Sequence, residues 1–579
     1  MSDVVSFSKQ GSVGIVTIDS PPVNALSLAV RKGMVDGFTK AIDDADVKAI
    51  VLICAGRTFI AGADITEFGK PPQDPWLPEV LNQMENSPKP ILAAVHGTAL
   101  GGGLEVALTC HYRCGVASAK FGLPEVLLGL LPGAGGTQRL PRIVGAEKAL
   151  DMITSGTPIG AKEAAELGLI EEVIEGDLLE GAVALAEKII AEERPLNKVR
   201  DLNDKVTGVD AALFDKFRSK LAQRKRNFIA PQRCVDAVEA ACTLPFDEGI
   251  KKEGQLFMEL MTSDQSKAQR HIFFAERQAA KIPDVPKDTP VAKIERVGIL
   301  GAGTMGGGIA MNFVNAGIPV TILETKQEFL DKGLEIIKGN YARTVSKGRL
   351  SEEDMEKRMA LITMTLKYED FADVDMVIEA VFEEMDIKKE VFAKLNDVCK
   401  PEAILATNTS TLDVDEIASA TDRPEKVVGT HFFSPANVMK LLEVVRGAKT
   451  SKETLATTMA VTKAIRKVGV VVGVCDGFVG NRMIHGYGRE ATFLLEEGAL
   501  PHQVDKAIYD FGMAMGPIAM GDMAGLDVGW RIRKRQGRPE GKRYSAIADK
   551  ICEMGRYGQK TGSGYYQYEK GNRNPLPDP

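Results

Sequence analysis

The stretch RVGILGAGTMGGGIAMNFVNAGIPVTILE (296–324) decides the fold of the second half of the chain. An apolar strand, VGIL, runs into Gly301-x-Gly303-x-x-Gly306, and a helical pattern and a second strand, VTIL, follow. In this pattern the first glycine permits a tight turn, the second lets the backbone approach a pyrophosphate, and the third lets the helix pack closely on the strand. The N–H groups at the start of the helix face the phosphates. The stretch therefore predicts a parallel α/β domain that binds a dinucleotide.

The residue that ends the second strand indicates which dinucleotide is bound. Glu324 lies 23 residues after Gly301. A carboxylate there hydrogen-bonds the ribose hydroxyls and repels a 2′-phosphate, so the pattern favours NAD over NADP in a Rossmann-type domain. The alternative for the motif alone is a glycine-rich turn without a ligand.

A histidine beyond this motif is a candidate base. His431 stands at the end of the apolar strand EKVVGTHFFSP, and Glu443 follows 12 residues later in VMKLLEVV. Hydride transfer from an alcohol to NAD needs a base for the hydroxyl proton, and histidine suits that task near neutral pH. In a doubly wound sheet, ligands lie outside the carboxyl ends of the strands. The pattern makes His431 a candidate base whose imidazolium form Glu443 can orient and stabilise; the alternative is a purely structural histidine at a strand end.

The N-terminal third carries a different set of motifs. RTFIAGADI (57–65) is a turn-rich loop, and ILAAVHGTALGGGLEVAL (91–108) places three glycines between a strand and a helix. N–H groups at a helix start can stabilise a developing oxyanion. Glu105 falls in the first helical turn, and Glu125 follows in FGLPEVLLGLLPGAGGTQRL (121–140). Two such carboxyl groups can act on one water as base and acid if their pKa values differ, but Glu105 also suits a helix N-terminus on dipole grounds alone.

Composition divides the chain into four parts. Strands alternate with helices over residues 1–190, and a charged helical region with a proline-rich linker occupies 191–290. Strands return over 291–475 and fade again over 476–579. We therefore predict an α/β domain, a helical extension and linker, the NAD domain and an all-α C-terminal domain.

The overall composition excludes several classes of protein. The chain has 579 residues, is 44% hydrophobic and has a net charge of −7, which disfavours nucleic acid as a partner. No charge-free run reaches the roughly 20 residues that a membrane span needs. The eight cysteines match no zinc-site spacing, so no metal is expected. No secretory or targeting signal is visible, which predicts a cytoplasmic protein of bacterial type; a peroxisomal protein truncated at its C-terminus is the alternative.

Five segments of the second half resemble the L-3-hydroxyacyl-CoA dehydrogenases: GAGTMGGGIA (301–310), VIEAVFEEMDIKK (377–389), TNTSTL (407–412), HFFSPANVMKLLEVV (431–445) and DGFVGNR (476–482). The resemblance implies the same roles for the histidine and its glutamate partner. It also implies that Ser410 and Asn481 lie near the substrate's hydroxyl and thioester, and that Glu383, Lys388 and Asn408 lie along the cofactor. Without the family, Ser410 and Asn408 could be turn caps and Lys388 a solvated helix face.

The motifs of the first 190 residues are similar to the enoyl-CoA hydratase/isomerase (crotonase) family, whose domain is a spiral of ββα units. The resemblance implies that the N–H groups of Ala63 and Gly102 bind the thioester carbonyl. It implies that Glu105 activates water for attack on C3, that Glu125 supplies the proton to C2, and that Gly133 helps to fix the water. Because Glu125 can also move a proton between C2 and C4, isomerisation is an expected second activity.

The order of the two halves resembles the multifunctional β-oxidation enzymes, because a hydratase produces the substrate of the dehydrogenase. This implies acyl-CoA thioesters as substrates and NAD as cofactor. A second copy of the helical C-terminal domain, usual in that family, is missing, so we expect a C-terminally shortened member. Such a chain would expose an apolar helical face that favours self-association, and a thiolase partner is left open. The alternatives are one active site only, or a non-catalytic acyl-CoA-binding protein.

Overall fold

The computed structural model describes residues 4–71, 73–537, 541–570, 572 and 574–578. The chain forms two compact units, Met1–Phe274 and Ala275–Pro579. The linker predicted at 282–290 contains no helix or strand.

The first unit contains a six-stranded and a three-stranded sheet. The larger sheet has the order β1-β2-β3-β4-β6-β9, with β1 antiparallel and the others parallel, and the smaller has the order β5-β7-β8. The central strands of the six-stranded sheet are apolar runs, as expected for parallel strands covered on both faces. The strands are β1 (Val5–Gln10), β2 (Val13–Ile18), β3 (Ala49–Cys54), β4 (Ile91–Val95), β5 (Thr98–Leu100), β6 (Tyr112–Val116), β7 (Lys120–Gly122), β8 (Ile159–Gly160) and β9 (Glu172–Ile174).

Most helices of the first unit contribute to one core that continues past residue 190, whereas α7 packs in a second buried cluster on the larger sheet. They are α1 (Leu28–Asp43), α2 (Leu77–Glu85), α3 (Gly102–Thr109), α4 (Gly136–Val144), α5 (Ala146–Ser155), α6 (Ala161–Glu166), α7 (Leu178–Ala191), α8 (Ala211–Arg224), α9 (Ala230–Thr243) and α10 (Phe246–Thr262), and α11 (Asp264–Ala279) follows. α9 packs against α4, α5, α8 and α10. Phe214, Val235 and Leu256 therefore share a buried cluster with residues of the sheet.

The second unit is built on an eight-stranded sheet of order β12-β11-β10-β13-β14-β15-β16-β17. All neighbours are parallel except β15 and β16. Since β10 lies between β11 and β13, the strand order reverses at its carboxyl end, where doubly wound folds bind ligands. The strands are β10 (Val297–Leu300), β11 (Val320–Leu323), β12 (Ile362–Thr365), β13 (Met376–Glu379), β14 (Ile404–Thr407), β15 (Val427–Phe432), β16 (Leu441–Arg446) and β17 (Val468–Gly473).

Helices cover this sheet and form the C-terminal part of the unit. They are α12 (Thr304–Asn315), α13 (Gln327–Val345), α14 (Glu352–Met359), α15 (Met385–Val398), α16 (Val414–Ala418), α17 (Lys452–Ala464), α18 (Gly480–Glu496), α19 (Pro501–Phe511), α20 (Pro517–Ala524), α21 (Leu526–Gln536) and α22 (Ile547–Glu553). The C-terminal helices enclose a small core around Ala491, Val504, Ile518 and Tyr566. Within the described ranges, none of the helices has both the length and the apolar character that crossing a membrane requires.

Candidate active sites

Two backbone amides approach each other at the start of α3. Gly102 is the first residue of this helix, where amide groups have no partner within the helix. The nitrogen of Ala63 lies 3.5 Å from the position that a Cβ on Gly102 would occupy. A parallel bridge between Leu26 and Ala63 holds the loop that carries this nitrogen. The arrangement can direct two N–H groups at one oxygen atom.

Glu105 lies in the first turn of α3, and its side chain is buried. Its Oε1 accepts hydrogen bonds from the amides of Ala134 (2.7 Å) and Gly136 (2.9 Å). Burial raises the pKa of Glu105, while these two amides and the charge of Arg139 oppose the rise. The amides therefore favour the ionised carboxylate, which is the form that can take a proton from water.

Glu125 begins the 3-10 turn Glu125–Leu128 and has a different environment. Its carboxyl group lies against the start of α3, where a Cβ on Gly101 would be 2.9 Å from Oε1. Its Oε2 is buried and has no hydrogen-bond partner in the described part of the chain. Burial, and after it the charge of Glu105, raise the pKa of Glu125 well above its usual value. Glu125 is thus better suited than Glu105 to carry a proton.

The loop before α4 also contains Gly133, and α10 packs directly on it. A Cβ on Gly133 would lie 2.5 Å from the ring of Phe257. One turn earlier on α10, Glu253 accepts hydrogen bonds from the amides of Gly135 and Thr137. Glu253 was not predicted from the sequence because no motif surrounds it; its spacing of four residues from Phe257 is the signal that could have indicated burial on the same helix face.

The predicted nucleotide turn forms a cradle with glycine at three positions. Gly301 has a φ of +108°, a conformation that glycine adopts without strain. Gly303 caps α12, and a Cβ on Gly306 would lie 1.8 Å from the carbonyl oxygen of Gly301. Glu324 follows β11, and its Oε1 accepts a hydrogen bond from the amide of Ala302 at 3.1 Å. A helix N-terminus, an open turn and a carboxylate at its edge fit NAD.

His431 and Glu443 face each other across the antiparallel pair β15 and β16. The distance from His431 Nδ1 to Glu443 Oε2 is 2.7 Å, and Glu443 Oε1 accepts the amides of Val479 (3.0 Å) and Gly480 (2.8 Å). Burial would raise the pKa of Glu443, but the hydrogen bonds from His431 and from these amides outweigh it and hold the pKa below its usual value. An ionised Glu443 assigns the proton to Nδ1 of His431, which leaves Nε2 free to accept one.

The other predicted residues of the dehydrogenase lie around β14 and β15. Glu383 Oε1 accepts the amide of Ser410 at 2.7 Å, and Asn481 Nδ2 donates to the carbonyl oxygen of Ser410 at 3.4 Å. Asn408 Oδ1 accepts the amide of Phe432, next to the histidine, at 2.9 Å. The structure therefore connects these polar groups to the strand that carries the candidate base.

Lys388 does not lie on a solvated helix face, so that alternative is wrong. It is buried on α15, and its Nζ donates to both carboxylate oxygens of Glu379, at 2.7 and 2.9 Å. Its Nζ also lies 3.4 Å from Glu383 Oε2. Thr407 Oγ1 donates to Glu379 as well, at 2.7 Å. Glu379 is a second residue near a predicted site that was not predicted from the sequence, because it ends an otherwise apolar strand without a motif of its own.

Comparison with protein families assigns both halves of the chain. Residues 8–233 match the enoyl-CoA hydratase/isomerase family. Residues 296–475 match the NAD binding domain of 3-hydroxyacyl-CoA dehydrogenase, and residues 477–568 match its C-terminal domain.

Curated relatives match over nearly the whole chain. The chain is 44% identical over 590 residues to the peroxisomal bifunctional enzyme of Danio rerio, covering 98% of this chain and 81% of the relative. It is 45% identical over 591 residues to that of Cavia porcellus, with the same coverage of 98% and 81%. It is 39% identical over 581 residues to the peroxisomal fatty acid beta-oxidation multifunctional protein of Oryza sativa subsp. japonica, covering 98% and 80%.

The predicted cytoplasmic localisation is wrong. The relatives above are named as peroxisomal proteins in a fish, a mammal and a plant, which points to the peroxisome. The prediction depended on a missing signal segment, and organelle signals are addresses read by receptors rather than features of the folded domains.

The predicted chemistry and cofactor are confirmed by these matches. The protein hydrates enoyl-CoA to 3-hydroxyacyl-CoA and oxidises that product with NAD, which are consecutive steps of fatty-acid β-oxidation. Its substrates are acyl-CoA thioesters. The chain belongs to the family of multifunctional β-oxidation enzymes, in which an enoyl-CoA hydratase/isomerase part precedes a 3-hydroxyacyl-CoA dehydrogenase part.

Proposed function

We propose that Glu105 and Glu125 divide the hydration reaction as base and acid. The amides of Ala63 and Gly102 bind the thioester carbonyl oxygen as negative charge develops on it. Glu105 removes a proton from water, the oxygen bonds to C3, and Glu125 gives its proton to C2 from the same face. The observation that carries this assignment is the contrast between the two carboxyl groups: Glu105 accepts two amides, whereas Glu125 has a buried oxygen without a partner. We keep the role predicted for Gly133, which is to help fix the water.

We propose a second activity for Glu125, which is isomerisation of the double bond. With a trans-3-enoyl-CoA, the ionised form of Glu125 takes a proton from C2 and returns it to C4, and this moves the double bond without water. The buried Oε2 of Glu125, which has no hydrogen-bond partner in the described part of the chain, and the raised pKa of this group, which makes its carboxylate a stronger base, support this role. A trans-3-enoyl-CoA substrate tests it, because conversion should depend on Glu125 and persist when Glu105 is replaced by Gln.

In the dehydrogenase part, we propose that His431 takes the proton of the 3-hydroxyl group through Nε2. Glu443 orients the imidazole ring and stabilises the imidazolium ion. Ser410 and Asn481 bind the hydroxyl and thioester groups of the substrate. NAD, when bound, supplies the acceptor for the hydride from C3.

Seven residues hold the cofactor in this proposal. The three glycines of the turn form the cradle, the acid after β11 binds the ribose, and three polar residues border the nicotinamide end: Gly301, Gly303, Gly306, Glu324, Glu383, Lys388 and Asn408. The buried ion pair of Lys388 with Glu379 supports a positioning role, because its ammonium lies between Glu379 and Glu383.

One experiment tests the hydratase assignment. Glu105→Gln and Glu125→Gln are assayed for hydration of a trans-2-enoyl-CoA, with NAD-dependent oxidation of L-3-hydroxyacyl-CoA as the internal control. Each variant should lose hydration and keep oxidation. Hydration retained by either variant would contradict the assignment of that residue.

We also propose that the chain self-associates through its C-terminal helices. Met483 on α18 and Phe511 at the end of α19 are 71% and 81% exposed. Apolar side chains this exposed favour a protein interface. Light scattering should give a mass above one chain, and a variant with Met483→Ser and Phe511→Ser should shift to the monomer; a monomeric wild-type chain would contradict the proposal. A thiolase partner stays open.

A further inference from the structure

Helix α10 carries a buried carboxylate that the proposed mechanism does not use. Glu253 is 1% exposed. Its Oε1 accepts the amide of Gly135 at 2.7 Å, and its Oε2 accepts the amide of Thr137 at 3.0 Å together with the hydroxyl of the same residue. All three donors belong to the N-terminus of α4, where amide groups lack partners within the helix. Glu253, on α10, thus provides the hydrogen-bond acceptors for amides at the N-terminus of α4.

Successive amides of this loop alternate between two carboxylates. The amides of Ala134 and Gly136 point to Glu105, and those of Gly135 and Thr137 point to Glu253. Because the four amides belong to consecutive residues, a shift of one pair moves the other. The hydrogen bonds that favour the ionised form of Glu105 therefore depend on the second carboxylate.

α10 is pressed against α4 and its loop on both sides of Glu253. Gly249, Glu253 and Phe257 are spaced by four residues and lie on one face of α10. A Cβ on Gly249 would lie 2.1 Å from Gln138 Oε1, just as a Cβ on Gly133 would meet the ring of Phe257. This close packing fixes the position of the Glu253 side chain relative to the loop before α4.

The three carboxyl groups also interact through their charges. Burial, and after it the charge of Glu105, raise the pKa of Glu253 to about 8, although its hydrogen bonds with Thr137 and Gly135 oppose the rise. Glu253 in turn contributes to the raised pKa of Glu125. The effects that shift the pKa of Glu105 are burial, the amides of Ala134 and Gly136 and the charge of Arg139, so Glu253 acts on Glu105 through the loop amides.

We propose that Glu253 is a positioning residue of the hydratase, an inference that rests on the roles proposed for Glu105 and Glu125. It holds the amides of Gly135 and Thr137 in place. The amides of Ala134 and Gly136, which alternate with them along the loop, then stay directed at Glu105. The helical extension predicted at 191–290 therefore contributes to hydration, and the reaction depends on α10 as well as on the α/β part.

The test compares Glu253→Gln with a matched control on the same helix. Glu259→Gln removes a carboxylate of α10 whose side chain is 47% exposed and pairs with Arg233. In Glu253→Gln we expect kcat for hydration to fall at least roughly tenfold, with KM within about twofold of wild type. The acid limb of the pH profile of kcat should move to higher pH, because Glu105 loses amide bonds that lower its pKa. Hydration by Glu259→Gln and NAD-dependent oxidation by both variants should stay at the wild-type rate.

The remaining outcomes distinguish a positioning role of Glu253 from a purely structural one. An unchanged kcat, or a loss equal at every pH, would overturn the inference and leave Glu253 as a structural cap of α4. If Glu253→Gln does not fold, as judged by its thermal unfolding, Thr137→Val removes one donor at similar volume and should move the acid limb in the same direction by less; no movement would overturn the inference. Glu105→Gln is measured in parallel: if it retains hydration, the proposed mechanism itself fails, whereas an inactive Glu105→Gln beside a fully active Glu253→Gln contradicts only the role of Glu253.

Discussion

Glu105 and Glu125 have the same functional group, and their neighbours give them different chemistry. Replacing Glu125 by Gln keeps the size of the side chain and removes its acidic proton. Since a positioned acid or base contributes roughly 10²- to 10⁴-fold to a rate, we expect kcat for hydration to fall by about 100-fold or more. NAD-dependent oxidation should stay at the wild-type rate in the same preparation.

Glu147→Gln is the matched control, because Glu147 is an exposed glutamate on α5 of the same unit. It should leave both activities unchanged. Hydration by Glu125→Gln within about threefold of wild type would contradict its role as acid, since the loss expected for such a group is far larger.

His111 makes the stability of the first unit depend on pH. Its ring is buried, and its Nδ1 accepts the amide of Ile91 at 3.0 Å. Burial, with smaller effects from charged neighbours, lowers its pKa to about 4. An unfolded chain, with a pKa of about 6.5, binds the proton more readily, so stability is lost as the pH falls from about 6.5 to about 4, by up to about 3 kcal/mol.

The thermal unfolding of the first unit at pH 7 and pH 5 tests this. His111→Gln keeps an acceptor for the amide of Ile91 and cannot titrate. We expect the melting temperature of the variant to fall less between the two pH values than that of the wild type. An equal fall in both proteins would contradict the contribution of His111.

Single residues were predictable where a local motif surrounds them. His431, Glu443, Glu105 and Glu125 stand in segments with strand, turn or glycine signals, and their environments agree with the proposed chemistry. Glu253 was not predictable in this way, because its partners lie more than 100 residues away and only tertiary packing brings them together.

At the scale of elements, Glu443 joins β16 to the start of α18. Besides His431, it binds the two amides at the N-terminus of that helix. Glu443→Gln removes the charge that stabilises the imidazolium ion and weakens this connection. We expect kcat for oxidation to fall by roughly 100-fold or more, since the base loses its partner, with hydration unchanged.

The control for this variant is Glu453→Gln, which changes an exposed glutamate on the neighbouring helix α17. Steady-state oxidation of L-3-hydroxyacyl-CoA at saturating NAD is the measurement. A wild-type kcat in Glu443→Gln would show that His431 does not need this carboxylate.

Elements with a clear period were predictable from the sequence. VGIL and VTIL are the strands β10 and β11, and the helical pattern after DGFVGNR is α18. The packing of the helical extension was not predictable, because periodicity marks the apolar face of a helix without naming the surface it covers. Phe214 and Leu256 enter the core of the α/β part.

At the scale of the whole molecule, the two chemistries are carried by separate sets of residues, so damage to one should spare the other. A mixture of Glu125→Gln and Glu443→Gln should therefore convert enoyl-CoA and NAD to ketoacyl-CoA and NADH, because the intermediate can pass through solution. Neither variant alone should do so. NADH formation measured by absorbance checks this, and a silent mixture would mean that each substitution disables both sites.

The sequence of the whole chain predicted two consecutive activities because each half carries several motifs in order. It favoured the cytoplasm over the peroxisome, against the names of the relatives, since no property of composition or folding encodes an organelle. The boundary of the first compact unit, near residue 274, also differs from the composition change near 190, because composition does not report packing.

Hydration and oxidation by the same chain can be tested by following both steps in one cuvette. The purified chain is mixed with a trans-2-enoyl-CoA, and NAD is added after the enoyl absorbance has stopped changing. We expect the enoyl absorbance to fall first and NADH to appear only after NAD is added. Hydration without NADH, even from supplied L-3-hydroxyacyl-CoA, would mean that only one site is active, and no change in either signal would contradict a catalytic role for the chain.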